Sequence, residues 1–93
     1  MVILIVERAT PSLRGELTRW LIQPHTGVFL GRISALVRDH LWERVKRSLK
    51  GGGATMIYNG ATEQGFKIQT AGRTDRTIED FEGLFLAKKV LKG

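Results

Sequence analysis

The chain has 93 residues, which is room for one small domain with a thin hydrophobic core. Its hydrophobic fraction of 42% is too high for a disordered chain, and the absence of cysteine excludes a disulfide framework, a thiolate zinc site and a cysteine nucleophile. Fifteen basic side chains against nine acidic ones give a net charge of +6, concentrated in residues 1–50, which favours a polyanionic partner, above all nucleic acid, over a merely solubilising role.

The first predicted element is the apolar run Val2–Val6, whose β-branched residues are typical of a central strand covered on both faces. The run is far shorter than the roughly 20 residues of a membrane-spanning helix, and no basic leader precedes it, so we expect a cytoplasmic protein. Thr10 and Pro11 then predict the N-cap and first position of a helix. We expect its apolar stripe to lie on the sheet and Pro24 to end it. The stripe comprises Leu13, Leu17, Trp20 and Leu21.

A short strand is predicted at 28–30, between two glycines, and Ser34 begins a second helix that runs to about Lys50. Three consecutive glycines, Gly51 to Gly53, are expected to end that helix. The apolar side chains recur every four residues, at Val37, Leu41, Val45 and Leu49.

Two more strands are predicted in the second half, at 54–58 and around Phe66, Ile68 and Thr70, where apolar and polar residues alternate. A polar loop is expected over 71–77. We therefore predict a single α+β domain over residues 1–93, with two helices on one face of an antiparallel sheet.

An apolar segment, 84–91, follows a short acidic stretch near the end of the chain. So small a core has no obvious place for it. We expect this segment to complete a sheet edge, either its own or that of a partner, which favours a dimer.

Few residues offer catalytic chemistry. His25 and His40 are isolated, without the spacing of metal ligands, so each is expected to be a surface or packing residue. Glu7 directly follows the first strand, where a carboxylate can hold Mg²⁺, and two copies of it would meet across a two-fold axis. The simpler interpretation, an exposed strand end paired with Arg8, is favoured from the residues alone.

The basic residues are mostly arginines, which suit bidentate contacts with phosphate. Candidate nucleic-acid contacts are Arg14, Arg19, Arg32, Arg38, Arg73 and Arg76. Both tryptophans fall on apolar helix faces, so few exposed aromatic rings are expected to stack on unpaired bases. Recognition of a double-stranded backbone is therefore favoured over single-strand stacking.

Several short motifs, in order and spread over nearly the whole chain, together resemble the type I-E form of CRISPR-associated protein two. That protein is the small subunit of the spacer-acquisition complex. The matching segments are 5–7, 11–15, 18–21, 27–31, 34–35, 41–43, 63–66, 69–70, 76–77 and 83–84, with Arg38 and Gly72. Each motif is weak alone, and their combined order and spacing make the resemblance specific.

The resemblance implies a ferredoxin-like fold and a symmetric dimer, with the C-terminal strand packed on the partner's sheet. The predicted elements read β-α-β-α-β-β with a tail, which differs from the plain βαββαβ order of that fold. It also implies that the dimer bridges two dimers of the integrase subunit, CRISPR-associated protein one. Together they would hold a short double-stranded DNA, the protospacer, and insert it into the CRISPR array.

Arg14 and Arg76 match basic residues that contact duplex phosphates in this family. Further basic residues of the family are replaced here, which implies that the duplex contacts are fewer or have moved to Arg73, Arg32 or Arg38. The replacing residues are Ser12, Leu36 and Asp75.

Other family members are described as metal-dependent nucleases that use an aspartate at the end of the first strand. Glu7 stands at that position, so a Mg²⁺-dependent endonuclease acting on RNA or double-stranded DNA is the alternative function. We favour a non-catalytic scaffold, because one carboxylate without a nearby base is a poor hydrolytic constellation. The acidic residues expected to contact the integrase are Glu79, Asp80 and Glu82.

Overall fold

The computed structural model describes residues 1–49 and 51–72, which form five strands and two helices. The elements are β1 Val2–Val6, α1 Pro11–Leu17, β2 Ile22–His25, β3 Val28–Gly31, α2 Ala35–Arg47, β4 Gly53–Asn59 and β5 Phe66–Gly72. All neighbouring strands are antiparallel, in the order β2-β3-β1-β4-β5. This α+β architecture is compatible with a ferredoxin-like sandwich, with β5 added beside β4.

Strand β1 lies at the centre of the sheet because it is apolar on both faces, as its sequence predicts. Val2, Leu4 and Val6 face the helices, and Ile3 is buried on the opposite face. The core between sheet and helices also contains Leu13 and Leu17 from α1, Phe29 from β3, Leu41, Trp42 and Val45 from α2, and Met56 from β4. Burying each of the larger side chains contributes about 1.5–3 kcal/mol, so this layer is the main source of stability.

The opposite face of the sheet, here called the outer face, is also apolar. One row of aligned residues crosses all five strands, in the order Ile22, Leu30, Ile3, Ile57 and Ile68. Its centre is buried, with Ile57 at 0% exposure, whereas its ends at Ile22 and Ile68 are 64% and 39% exposed. This outer row therefore presents apolar surface toward both edges of the sheet.

Both helices begin where the sequence predicts. The Thr10 hydroxyl accepts a hydrogen bond from the Leu13 amide at 3.1 Å, and the Ser34 hydroxyl accepts one from the Val37 amide at 3.2 Å. Each side chain thus satisfies one amide in the first turn of its helix.

The predicted end of the first helix is wrong. α1 ends at Leu17, where the Thr18 hydroxyl donates back to the Arg14 and Gly15 carbonyls. The chain then makes a turn that keeps Leu21 buried and leaves Trp20 51% exposed. The apolar stripe predicted for this helix therefore does not include Trp20, because helical spacing stops three residues before it.

Pro24 does not end a helix; it lies within β2, a strand that the sequence pattern does not reveal. β2 is an edge strand, where proline removes no essential ladder hydrogen bond. The added strand changes the order of elements to β-α-β-β-α-β-β. The first six then follow the ferredoxin-like order, which removes the discrepancy in the sequence-based prediction.

The other elements agree with the sequence to within a few residues. α2 extends to Arg47 rather than Lys50, and β5 continues through Gly72, which shortens the predicted loop at its start. The apolar segment 84–91 lies outside the described residues. Within the described parts of the chain, neither helix has the length and apolar character to cross a membrane.

Candidate nucleic-acid interface

A concavity of about 530 Å³ opens between the end of β1, helix α1 and the β2–β3 hairpin. Its described lining residues include two arginines, Arg8 and Arg14, and His25, and none of these described residues is acidic. The remaining lining residues are Val6, Ala9, Gln23, Pro24, Thr26 and Gly27. We call this site the cationic concavity.

The β2–β3 turn is held against the end of β1 by Gly27. Its carbonyl accepts a hydrogen bond from the Val6 amide at 2.8 Å, and its φ of +78° lies in the left-handed region. A Cβ at this position would lie 2.8 Å from the Val6 carbonyl oxygen. Glycine therefore permits the close approach that forms one wall of the concavity.

Arg8 also lines the concavity, and its backbone is unusual. Its φ is +57°, the left-handed conformation that disfavours a residue with a side chain. The Glu7 amide just before it donates to the Gly53 carbonyl at 2.9 Å, which fixes the end of β1 against β4. The Arg8 guanidinium reaches toward Gly51, lying 3.9 Å from where a Cβ of that glycine would stand.

Among the predicted nucleic-acid residues that the structure describes, Arg14 alone lines the cationic concavity. Sequence reasoning did not identify Arg8 or His25 as part of the same site. Arg8 was expected to pair with Glu7, and His25 to be an isolated surface residue. Gly27, which closes the β2–β3 turn, was the one sequence feature that could have indicated this site. It could not be interpreted as part of a hairpin, because the sequence pattern does not reveal β2.

Arg19 and Arg32 are exposed at the other end of β1. Arg19 precedes Trp20 and Arg32 follows Gly31, and these two neighbours approach each other closely. A Cβ on Gly31 would lie 3.5 Å from the Trp20 carbonyl oxygen. Gly31 pairs with Val2, so these two arginines lie at the start of β1, away from the cationic concavity at its end. The exposed indole of Trp20 lies between them in the chain, contrary to the expectation that both tryptophans are covered.

Arg38 has its guanidinium group engaged within the chain. Its Nε donates to Asp39 Oδ1 at 3.1 Å, and its guanidinium carbon lies 4.1 Å from the centre of the Tyr58 ring. The Tyr58 hydroxyl in turn accepts a hydrogen bond from Gln69 at 2.9 Å. The charge of Arg38 is therefore partly balanced by a carboxylate and an aromatic face.

A second engaged arginine, Arg44, joins the two helices. Its Nε lies 2.7 Å from Glu16 Oε2, and His40 Nε2 lies 3.8 Å from the other carboxylate oxygen of Glu16. Within the described parts of the chain, no comparable carboxylate partner is found for Arg8 or Arg14. Positive charge is thus compensated between the helices and uncompensated in the concavity.

Glu7 is half-buried at the end of β1, where the chain approaches the start of β4 closely. A Cβ on Gly52 would lie 2.8 Å from the Glu7 carbonyl oxygen, so this glycine serves packing as well as ending the helix. No group of three histidine or acidic side chains suited to a metal ion occurs among residues 1–49 and 51–72. Mg²⁺ is commonly held by only one or two carboxylates together with waters, so the carboxylate of Glu7 would need further ligands to hold it.

Five of the predicted site residues lie outside the described residues. They are the arginines Arg73 and Arg76 and the acidic residues Glu79, Asp80 and Glu82. Asp75, the residue that replaces a family arginine, belongs to the same part of the chain.

A comparison with known families matches most of the chain. A family model described as CRISPR-associated protein (Cas_Cas2CT1978) matches residues 1–86. The matched range includes all five strands, both helices and every residue that lines the cationic concavity.

Proposed function

Because the chain belongs to this Cas2-type family of CRISPR-associated proteins, we propose that it serves CRISPR adaptation as a dimeric scaffold that binds double-stranded DNA. In this proposal the chain is the type I-E form, whose motifs it resembles. The dimer bridges two dimers of the integrase subunit and holds the protospacer duplex while it is inserted into the array. The protein supplies geometry and cationic surface, and the integrase supplies the chemistry.

The cationic concavity is the observation that carries this proposal. Arg14 and Arg8 both line it, and no lining residue in the described part of the chain is acidic. Guanidinium groups bind phosphate oxygens through paired hydrogen bonds, and such contacts carry no information about base sequence. This surface suits a protein that must accept duplexes of many sequences.

The outer row supports the dimer. Its ends at Ile22 and Ile68 expose apolar side chains on a sheet face that carries neither helix. In a two-fold arrangement the same patch on a second copy would cover it, since such an interface is self-complementary. Two sheets fixed face to face would make a stiff unit, and stiffness is what a spacer between two integrase active sites needs.

Binding to the duplex is tested through its dependence on salt. Each phosphate contact that is lost should reduce the slope of log affinity against log salt by about 0.9. We expect Arg14→Gln to weaken binding of a short DNA duplex about tenfold and to make the slope shallower, with an unchanged melting temperature. An unchanged slope would remove Arg14 from the interface.

A reconstituted integration assay tests the scaffold role. It combines the integrase subunit, a short duplex and an array plasmid with the wild-type protein, with Glu7→Gln or with no added small subunit. We expect Glu7→Gln to support integration as wild type does, and omission to abolish it. If Glu7→Gln remains dimeric and binds DNA but fails to integrate, the carboxylate has a chemical role and the metal-dependent nuclease takes first place.

A further inference from the structure

The cationic concavity is lined by two segments of the chain, 6–14 and 23–27, and both carry groups suited to an anion. We propose that Arg8 and His25 join Arg14 in one subsite that binds a single backbone phosphate of the duplex. The proposal rests on the duplex-binding function above and specifies which groups hold the strand. It assigns roles to two residues that sequence reasoning placed elsewhere.

The composition of the concavity favours an anion over other ligands. Two guanidinium groups give it a charge of +2, and His25 and Thr26 add polar groups near them. At about 530 Å³ it is larger than one phosphate requires, which leaves room for the sugars on either side. A strand can therefore pass through it, with the phosphate held between Arg8 and Arg14.

The backbone of Arg8 supports a role in binding. A left-handed conformation is strained for arginine and causes no steric strain in glycine, so glycine would relieve the strain at this position. The residue found there instead is an arginine, and it lines the concavity. Strain of this kind is common where a side chain is held in place for a ligand.

The first experiment compares charge-removing variants in a fluorescence anisotropy titration with a labelled DNA duplex of mixed sequence, at several salt concentrations. Arg8→Gln should weaken binding about tenfold and reduce the salt slope by about 0.9 per chain, and His25→Gln should weaken it about threefold. The matched control is Arg47→Gln, which removes an exposed charge from α2 outside the concavity. If Arg8→Gln changes affinity and slope no more than this control does, the subsite is refuted.

The second variant, Arg8→Gly, separates binding from stability. Removing the strain should raise the melting temperature, whereas losing the guanidinium group should weaken duplex binding as strongly as Arg8→Gln does. A residue with a purely structural role would not give this pair of opposite changes. Increased stability with wild-type binding would refute the subsite.

Two further outcomes separate this proposal from the function on which it rests. If wild type and Arg14→Gln differ in duplex affinity but Arg8→Gln equals wild type, the subsite fails and the scaffold survives. If wild type does not bind the duplex at all, both fail. The last measurement is calorimetry with adenosine monophosphate. If this nucleotide binds more tightly than the duplex does, the concavity is a site for a free nucleotide, and the proposal that it binds a DNA backbone phosphate is overturned.

Discussion

Arg14 and Arg44 lie on the two helices that cover the same face of the sheet, yet their guanidinium groups have opposite surroundings. Arg44 lies 2.7 Å from Glu16, and this ion pair joins the helices. Arg14 lines a concavity together with Arg8, and none of the lining residues that the structure describes is acidic. A count of basic residues therefore overstates the surface available to an anion, because the carboxylates of this chain are placed against some arginines and away from others.

The largest expected effect comes from removing two positive charges from the concavity and comparing the result with the removal of two charges from arginines that are already engaged. The double variant Arg8→Gln with Arg14→Gln should weaken duplex binding about a hundredfold and leave the melting temperature near that of wild type. Removing the same charge with Arg38→Gln and Arg44→Gln should lower the melting temperature and weaken binding far less. Anisotropy and thermal-unfolding measurements on both double variants test these expectations. If the two double variants lose the same affinity for the duplex, net charge alone sets binding and the position of the arginines does not matter.

A smaller effect is expected from the wall of the concavity itself. Gly27→Ala should lower the free energy of unfolding by at least about 2 kcal/mol, because the left-handed φ and the nearby Val6 carbonyl both oppose a Cβ. For a domain of this size, that corresponds to a fall in melting temperature of roughly 10 °C, measured at fixed protein concentration. Gly15→Ala is the control, since a Cβ there would meet open space and should be neutral or stabilising. Equal stability of the two variants would contradict the packing described for the hairpin.

The smallest effect concerns the ion pair between the helices. Arg44→Gln should cost about 1 kcal/mol of folding stability, because both partners are more than two-thirds buried. The salt slope of duplex binding should stay that of wild type. A double-mutant cycle with Glu16→Gln would measure the coupling energy of this ion pair. A value near zero would show that the pair does not stabilise the contact between the helices.

The strands with strong local patterns were predictable, and those set by tertiary context were not. Continuous apolar residues identify β1, and hydroxyl residues before each helix identify its start. β2 reads Ile-Gln-Pro-His, without alternation and with a proline, and it forms a strand because β3 lies beside it. The residues of β2 alone do not indicate that β3 will pair with them.

The candidate site divides in the same way. Arg14 was predicted through its resemblance to a family position, whereas Arg8 and His25 line one concavity because the β2–β3 turn folds back on the end of β1. The partner of Arg44 lies 28 positions away in the sequence, at Glu16, so no local pattern distinguishes this arginine from Arg14. Which arginines are engaged follows from tertiary packing.

The turn after α1 has a spectroscopic consequence. The chain contains two tryptophans, and the structure places one, Trp42, in the core at 6% exposure and the other, Trp20, at 51%. Collisional quenchers in water should quench the fluorescence of the exposed Trp20 indole and leave that of Trp42 largely unchanged. The fluorescence of the two tryptophans can therefore be distinguished without an added label. Trp42 then reports on folding, and Trp20, beside Arg19 and near Arg32, reports on whatever docks at the start of β1.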